Sequence, residues 1–196
     1  IRFAKLCPEI ERCIVSTDSP NIADIARKYG ADVPFMRPAE LAQDDTPMEP
    51  VLKHALSVME DLDRVKYDHL LLLEPTSPAR LPDDIANAYL RLRDNPQANG
   101  IIGVSQPDFN PIWVCVTENE GWMTYLLENG PDYARRQDVP LVYRINGVLY
   151  IWQTDFIRRH PDSWQHHGRH LIYEIPETRA ISIDTLDEFT RAELLV

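Results

Sequence analysis

The feature that most constrains the fold is a run of apolar residues that ends abruptly in a proline-flanked loop. His69-Leu70-Leu71-Leu72-Leu73 is followed at once by Glu74-Pro75-Thr76-Ser77-Pro78. An apolar run of this length predicts a strand buried on both faces. In an open α/β sheet, the loops at the carboxyl ends of the strands form the ligand crevice. Thr76 and Ser77 are therefore predicted to line a site, although a simple proline turn explains these residues equally well.

The residues before this run show the same arrangement of a strand followed by polar side chains. Cys13-Ile14-Val15 predicts a short buried strand that continues into Ser16-Thr17-Asp18. Ser19 and Pro20 suit the cap and the first position of a helix. The apolar positions on one face of that helix are Ile22, Ile25, Ala26 and Tyr29. Residues 31–35 predict another strand, so the segment forms a β-α-β unit that suits parallel pairing.

Strand and helix patterns alternate along the rest of the chain as well. The alternation predicts an α/β fold with three layers, in which helices cover both faces of a mostly parallel sheet. A length of 196 residues suits a single domain over residues 1–196 with a substantial core. The other predicted elements are a helix capped by Thr46 and Glu49, a helix beginning at Pro82, strands at residues 101–104, 148–152 and 181–184, a short helix capped by Thr154, and a helix capped by Thr185 and Glu188 that carries Leu186, Phe189, Ala192 and Leu195.

The alternation breaks between residues 106 and 140, where prolines and aromatic residues are interspersed. A long irregular segment in a compact domain usually serves a function, and aromatic residues suit a subunit contact. We therefore predict that residues 106–140 form a dimerisation arm, with an ordinary hydrophobic surface flap as the alternative. The prolines are Pro107, Pro111, Pro131 and Pro140, and the aromatic residues include Trp113, Trp122, Tyr125 and Tyr133.

The net charge argues against several classes of partner. With 20 basic and 31 acidic side chains, the formal net charge is -11 and the pI is near 4.9. Such a chain is not expected to bind nucleic acid or an anionic membrane, although a local basic pocket can still bind phosphates. No apolar run approaches the roughly 20 residues of a membrane span. The three cysteines contain no C-x-x-C pair and predict neither a disulfide framework nor a zinc ribbon, so a cytoplasmic location fits best.

The tract His166-His167-Gly168-Arg169-His170 contains side chains that commonly bind metals. It lies among polar residues, and no carboxylate pattern flanks it. A solvated loop is therefore the better interpretation of this tract, with a metal site as the alternative.

Five short motifs are spread along the chain. They are Ser16-Thr17-Asp18, Arg37-Pro38-Ala39-Glu40-Leu41, Glu74-Pro75-Thr76-Ser77-Pro78, Arg144-Ile145-Asn146-Gly147 and Ile183-Asp184-Thr185. In this order and at this spacing, they resemble the motifs of the acylneuraminate cytidylyltransferase family, the CMP-sialic acid synthetases and their relatives for bacterial nonulosonic acids. The resemblance covers essentially the whole chain.

This resemblance implies an activity, a fold and an assembly. Members of the family activate a nine-carbon acidic sugar with CTP and release pyrophosphate, with Mg²⁺ at the site. Their α/β fold is nucleotide-diphospho-sugar transferase-like, and they form homodimers through an extended arm. Residues 106–140 lie where that arm would be. On this resemblance, the partners of the chain are expected to be CTP, an acidic sugar and a second copy.

On the nucleotide side, the resemblance assigns roles to three of the motifs. Arg37 matches the arginine that the family places against the cytosine ring, and a guanidinium can donate to a pyrimidine carbonyl without titrating. Ser16 and Asp18 match the strand-end loop beside the nucleotide. The residues of the central loop that faces the nucleotide are Glu74, Thr76 and Ser77. The hydroxyls of this loop are expected to shape the pocket rather than to act as nucleophiles.

On the sugar side, the resemblance assigns two arginines, a turn and a carboxylate. Arg136 and Arg144 match arginines near the phosphates and the sugar carboxylate, whose oxygens a forked donor can pair bidentately. The residues that match the sugar-side turn are Asn146, Gly147 and Tyr150. Asp184 matches a carboxylate of the magnesium site, where a hard oxygen ligand is needed. Arg144 and Asp184 are the predicted catalytic residues.

Several features depart from the family pattern. Ser182 stands where the family usually has the first of two aspartates, and a hydroxyl is a poorer magnesium ligand than a carboxylate. Glu74 stands where glutamine is frequent, and an ionised carboxylate can only accept hydrogen bonds. Trp113 aligns with a lysine of the sugar site. The family's glycine-rich loop is expected to precede Ile1, because the first residues have the spacing of a helix already under way.

The resulting hypothesis is a cytoplasmic, magnesium-dependent CMP-nonulosonate synthetase. The anomeric hydroxyl of the sugar would attack the α-phosphorus of CTP in line and expel pyrophosphate, without a covalent enzyme intermediate. The alternatives are another sugar nucleotidyltransferase of the same fold, or a degenerate, non-catalytic nucleotide-sugar-binding module. The choice among sialic, legionaminic and pseudaminic acid rests on pocket shape and is not predicted by the sequence.

Overall fold

The computed structural model describes residues 1–160 and 163–194, and it has the α/β architecture that the sequence predicts. Its helices are α1 (Arg2–Leu6), α2 (Pro20–Lys28), α3 (Met48–Asp63), α4 (Pro82–Arg93), α5 (Pro111–Val114), α6 (Thr154–Arg159) and α7 (Leu186–Glu193). Its strands are β1 (His69–Leu72), β2 (Gly100–Ser105), β3 (Val116–Asn119), β4 (Trp122–Tyr125), β5 (Arg144–Gln153) and β6 (His170–Glu174). None of the described helices is long and apolar enough to cross a membrane.

The main sheet has the strand order β1-β5-β2-β6. Strands β2 and β6 run in the same direction, because the residues that pair near the start of one strand also lie near the start of the other. The amide of Asn99 donates to the carbonyl of Arg169 at 2.8 Å, and further along the amide of Ile175 donates to the carbonyl of Val104 at 2.8 Å. This pairing is the parallel arrangement that the alternating pattern predicts.

Strand β5 is the reversed strand of the sheet. It pairs antiparallel with β1. Its last residue, Gln153, donates to the carbonyl of Asn99 at 3.0 Å, whereas Asn146, near its start, donates to Ser105 at the end of β2 at 2.9 Å. Strands β1, β2 and β6 therefore point one way, as a mainly parallel sheet predicts, while β5 runs antiparallel to both of its neighbours.

The two N-terminal strands of the predicted β-α-β unit pair only briefly. Ile14 and Asp32 form an isolated parallel bridge. Further along, the amide of Arg37 donates to the carbonyl of Thr17 at 2.8 Å. The parallel pairing around α2 is thus present, and it brings Arg37 beside the polar residues that follow Ile14.

The chain forms two compact units. Unit 1 comprises residues 1–74, 80–102 and 149–173, and unit 2 comprises residues 75–79, 103–148 and, within the described chain, 174–194. The core of unit 1 contains Leu52, Leu56, Ile102, Tyr150, Trp152, Phe156 and Ile157. In unit 2, Val104, Val148 and Ile175 are buried.

Helix starts that depend on local residues are mostly as predicted. The hydroxyl of Ser19 caps α2 by accepting from the amide of Ile22 at 3.4 Å, and Thr185 with Glu188 forms a capping box on α7. The predicted box of Thr46 with Glu49 is wrong, because the carboxylate of Glu49 accepts from the distant amide of Trp164 at 3.2 Å. The predicted cap by Thr154 is also wrong, because Thr154 is the first residue of α6 and its hydroxyl donates to the carbonyl of Asp68 at 3.2 Å.

Three strand predictions require correction. Strand β1 is half-buried along its length rather than buried on both faces. Residues 181–184 form no strand, although the amide of Ile183 donates to the carbonyl of Thr76 at 2.9 Å. Strand β6 begins at His170, inside the tract that the sequence predicts as a loop. Burial and pairing of short apolar runs depend on neighbours that are remote in sequence, which limits a local prediction.

Apolar side chains are exposed on three elements. On α2, Ala23 and Ala26 are buried, whereas Ile22, Ile25 and Tyr29 of the predicted apolar face lie in solvent. On α7, Ala192 is buried while Leu186 and Phe189 are exposed; Leu195, predicted on the same helix, lies outside the described residues. In residues 106–140 the hairpin β3-β4 is exposed throughout, including Trp122, Met123 and Tyr125.

Candidate active site

In unit 1, the parallel pairing around α2 joins two motifs that lie 21 positions apart. The guanidinium of Arg37 donates through Nε to the hydroxyl of Ser16 at 3.2 Å and through Nη2 to the carbonyl of Ser16. These contacts fix one edge of the guanidinium. Within the described residues, Nη1 makes no hydrogen bond, so its two donors are left for another acceptor.

The other residues of the first motif differ in exposure. Thr17 is buried, and its hydroxyl accepts from the amide of Ser19 at 3.1 Å. The predicted site residue Asp18 is exposed. The motif therefore presents the carboxylate of Asp18 and the partly buried hydroxyl of Ser16, while Thr17 shapes the turn.

Glu74 is fixed through both its backbone and its side chain. Its carbonyl accepts from Nη2 of Arg80 at 2.5 Å, and its carboxylate accepts from the hydroxyl of Tyr150. Leu72 lies opposite Tyr150 in the antiparallel pair, so Glu74, two residues on, is its diagonal neighbour on the same face. Burial raises the pKa of Tyr150 to about 12, and the charge and hydrogen bond of Glu74 add to that shift.

Arg80 is a buried arginine that the sequence interpretation missed. It is 6% exposed, and burial lowers its pKa to about 10 against the opposing effect of the carboxylates of Glu74 and Asp84. Its Nε is buried without a hydrogen-bond partner in the described structure. The sequence feature that could have indicated this role is the position of the arginine, at the end of the loop that begins at Glu74. A buried cation there fixes the ends of the loop.

The middle of this loop belongs to unit 2. Thr76 is half-buried, and its backbone carbonyl binds the segment that carries Asp184 through the amide of Ile183. Ser77 is 1% exposed, and its hydroxyl has no hydrogen-bond partner in the described structure. A buried, unsatisfied hydroxyl is costly, so it marks the loop as a place where a further partner fits.

Arg144, at the start of β5, is bound along one edge. Its Nε lies 2.9 and 3.0 Å from the two carboxylate oxygens of Glu177, and its Nη2 lies 2.9 Å from one of those oxygens and 2.9 Å from the carbonyl of Ala180. The sequence interpretation missed Glu177, which is 33 residues away. The predicted anion-binding arginine thus already has a carboxylate partner.

The predicted sugar-side turn lies inside β5. Asn146 is 3% exposed, and it donates to the hydroxyl of Ser105 and accepts from the amide of Val148 at 3.1 Å. Ser105 in turn donates to the carbonyl of Ile175 at 2.6 Å. Gly147 has a φ of 72°, a conformation that favours glycine. Asn146 therefore fixes the strands of unit 2 with hydrogen bonds, next to a backbone irregularity.

Asp184 is exposed at the start of α7. The hydroxyl of Ser182 donates to its carboxylate at 3.3 Å. Glu188 accepts from the amides of Asp184 and Thr185 at 2.9 and 2.8 Å, and the hydrogen bond from the Asp184 amide is the largest cause of its lowered pKa. No group of three or more metal-binding side chains occurs among the described residues. The side chains of Asp184 and Ser182 are thus two neighbouring oxygen-bearing groups that belong to no such group among the described residues.

Arg136 lines a small cavity in unit 2. The cavity has a volume of about 130 Å³, and its polar lining includes Gln106, Asn110 and Gln137. Arg136 is exposed and has no ion pair within the described residues, whereas its neighbour Arg135 pairs with Asp138. Trp113, at the position of the family lysine, donates its indole N–H to the carbonyl of Tyr133 at 3.1 Å.

Comparison with solved structures identifies the fold. A CMP:2-keto-3-deoxy-manno-octonic acid synthetase complexed with CTP superposes with a TM-score of 0.65 over 98% of this chain and 84% of that one, at 17% sequence identity. The architecture described above is therefore one that nucleotidyltransferases use.

The family follows from the sequence comparison. The family model described as cytidylyltransferase matches residues 1–190, and the chain belongs to that family. Two relatives are 29% identical: the post-translational flagellin modification protein B of Campylobacter coli, over 98% of this chain and 80% of that protein, and the CMP-N,N'-diacetyllegionaminic acid synthase of Legionella pneumophila, over 95% and 78%. The resemblance seen in the motifs is confirmed, and the chain is a nucleotidyltransferase. The roles of individual residues stay predictions.

Proposed function

We propose that the chain is a CMP-nonulosonate synthetase, which transfers CMP from CTP to the anomeric hydroxyl of a nine-carbon acidic sugar. Family membership over residues 1–190 and the name of the Legionella relative support this proposal. The structural observation that carries it is the geometry of Arg37. Ser16 fixes one edge of the guanidinium, and Nη1, which makes no hydrogen bond within the described residues, suits the carbonyl oxygen of a cytosine ring.

On the nucleotide side, we assign binding to residues that the fold fixes in unit 1. Arg37 would bind the base, while Ser16 and Asp18 contact the nucleoside. Glu74 would accept hydrogen bonds there, since its carboxylate already accepts one from the hydroxyl of Tyr150.

On the sugar side, we assign binding to residues of unit 2. Arg136 brings an uncompensated positive charge to a cavity with carboxamide neighbours, which suits an acidic sugar bearing acylamino groups. Arg144 would direct N–H donors at an anionic oxygen. Gly147 would permit close backbone approach of the sugar. Thr76 and Ser77, also in unit 2, would shape the central loop that faces the nucleotide.

The family implies a magnesium ion, and the residues present can bind one. Mg²⁺ is commonly bound through one or two carboxylates together with substrate phosphates, which matches the exposed carboxylate of Asp184 beside Ser182. When bound, the ion would neutralise charge on the phosphates of CTP. The chain itself orients the sugar hydroxyl and the α-phosphate for in-line displacement, and pyrophosphate leaves.

We further propose that the protein is a cytoplasmic homodimer. The exposed side chains of the β3-β4 hairpin support the assembly: Trp122 is 78% and Met123 67% exposed. Apolar side chains of this size at one surface suit burial against a partner. A variant with Trp122→Asp is expected to sediment as a monomer while the wild type sediments as a dimer.

The second candidate function is a non-catalytic nucleotide-sugar-binding module. The observation that favours it is the lack of any cluster of three metal-binding side chains among the described residues. Such a module would bind CTP or CMP-sugar in a calorimeter and release no pyrophosphate.

Pyrophosphate release separates the two functions. The protein is incubated with CTP, Mg²⁺ and, in turn, sialic, legionaminic and pseudaminic acid, with ATP and UTP as matched controls. We expect release that requires both CTP and one of these sugars. Another acidic sugar as the only substrate would indicate a related nucleotidyltransferase, and no release with any acidic sugar would exclude catalysis.

A further inference from the structure

Arg144 and Glu177 form a more directed contact than an ordinary surface ion pair. Both side chains are only partly exposed, at 37% and 27%. Nε and Nη2 point at the same carboxylate, and Nη2 also contacts the carbonyl of Ala180. Such forked pairing fixes the plane of the guanidinium as well as its position. Within the described residues, only Nη1 lacks a partner.

We propose that Glu177 is a positioning residue for the transfer reaction, which acts by holding the Nε–Nη2 edge of Arg144 so that Nη1 meets an anionic oxygen of the substrate. This inference rests on the proposed function. An unconstrained arginine loses rotamer freedom when a ligand fixes it, and a side chain fixed beforehand avoids that cost at binding.

The same contact also fixes the segment that carries Asp184. Glu177 and Ala180 lie at the start of that segment, and Ile183, bonded to Thr76, lies next to Asp184. Arg144 therefore ties the beginning of β5 to a stretch of chain that has no strand of its own. Loss of the Glu177 carboxylate is expected to loosen both predicted catalytic residues.

Charge distinguishes the role of Arg144 from that of Arg136. The Arg144–Glu177 pair has no net charge, so Arg144 contributes directed donors rather than long-range attraction. Arg136 has no ion pair within the described residues and supplies the attraction. Weakening of the Glu177 contact should therefore change the reaction rate more than the salt dependence of substrate capture.

The kinetic test compares Glu177→Gln with Glu174→Gln, a matched change in the same unit at a carboxylate that contacts Tyr143 instead. We expect Glu177→Gln to lower kcat/KM for the acidic sugar about tenfold, with Glu177→Asp partly restoring it and Glu174→Gln within twofold of wild type. In an Arg144→Lys background, Glu177→Gln should have less than a twofold further effect. If Glu177→Gln lowered kcat/KM by the same factor in the Arg144→Lys background as in the wild type, the proposal would be overturned.

A spectroscopic test works without catalysis. The Nε–H resonance of Arg144, assigned by its loss in Arg144→Lys, is followed in ¹H–¹⁵N spectra. We expect slow solvent exchange in the wild type and in Glu174→Gln, and fast exchange in Glu177→Gln. If the wild type releases no pyrophosphate, the proposed function fails, and this resonance still decides whether Glu177 fixes Arg144: unchanged exchange in Glu177→Gln overturns the inference.

Discussion

Two arginines, one in each compact unit, are bound in the same way by partners of different charge. In unit 1, Ser16 binds the Nε–Nη2 edge of Arg37 with a hydroxyl and a carbonyl. In unit 2, Glu177 and the carbonyl of Ala180 bind the same edge of Arg144. Within the described residues, Nη1 of neither arginine makes a hydrogen bond. They differ because a neutral partner leaves the charge of Arg37 intact, whereas a carboxylate cancels that of Arg144.

This difference assigns each arginine a type of ligand atom. A full charge strengthens a hydrogen bond to a neutral acceptor, so Arg37 is suited to a base carbonyl. On the proposed function, the neutralised Arg144 would bind an anion through geometry, and the net attraction would come from another side chain. Arg136, which lines the cavity of unit 2, meets that requirement.

The largest expected effect is at Arg37. Arg37→Lys keeps the charge but removes the fork that Ser16 fixes, so we expect kcat/KM for CTP to fall about 100-fold, roughly 2.7 kcal/mol. The matched control is Arg27→Lys on the exposed face of α2, where the ion pair with Asp24 is solvated. A loss of kcat/KM below threefold would show that the positive charge alone is enough to bind CTP. The fixed edge of Arg37 would then have no role comparable to that of Arg144.

Asp184 is expected to have the next largest effect. Asp184→Ala removes the carboxylate that is proposed to bind magnesium, and we expect about a 30-fold loss of kcat and a higher Mg²⁺ requirement. Asp187→Ala, in the first turn of α7, is the control. An unchanged Mg²⁺ titration in Asp184→Ala would remove its assigned role and leave Arg144 as the sole predicted catalytic group of unit 2.

Local rules predicted much of this fold, and they failed where partners are distant. Ser19 and the Thr185–Glu188 box start helices as expected because each cap binds within its own first turn. Glu49 does not cap its helix, because its carboxylate accepts a hydrogen bond from the amide of Trp164, more than a hundred residues away. A capping motif specifies an available hydrogen bond but does not exclude a tertiary competitor.

The same limit applies to the candidate site. The motifs located Arg37 and Arg144, since their order and spacing match a family, but they gave no sign of what binds these arginines. Glu177 and Arg80 are single residues in unremarkable sequence, and their importance comes from contacts made across the fold. For Asn146, the motif predicted a role that the contacts do not favour. Its side chain was predicted to bind sugar, but it is buried and makes hydrogen bonds to Ser105 and Val148.

Ser16 allows a direct test of the neutral partner. Ser16→Ala removes the hydroxyl that accepts from Nε but leaves the carbonyl contact, so we expect about a fivefold rise in KM for CTP. Because no charge is lost, this factor should stay constant between low and high salt. Ser57→Ala on α3 serves as the control. A salt-dependent effect would show that Arg37 binds an anion, as Arg144 is proposed to do.

The smallest expected effect concerns Glu74, a carboxylate that also has a neutral partner. Tyr150 donates a hydrogen bond to its carboxylate. Burial, and to a smaller extent Glu74, raises the pKa of Tyr150 to about 12.

The folded chain therefore holds the phenolic proton of Tyr150 more tightly than the unfolded chain does. The resulting stabilisation is complete below about pH 10 and is lost as the pH rises towards 12. Tyr150→Phe should flatten this part of the unfolding curve, measured by urea titration at each pH, and exposed Tyr29→Phe should not. If the free energy of unfolding of Tyr150→Phe fell equally steeply at alkaline pH, the Tyr150 hydroxyl would not be a stabilising partner of Glu74. The comparison between neutral and charged partners would then rest on Arg37 alone.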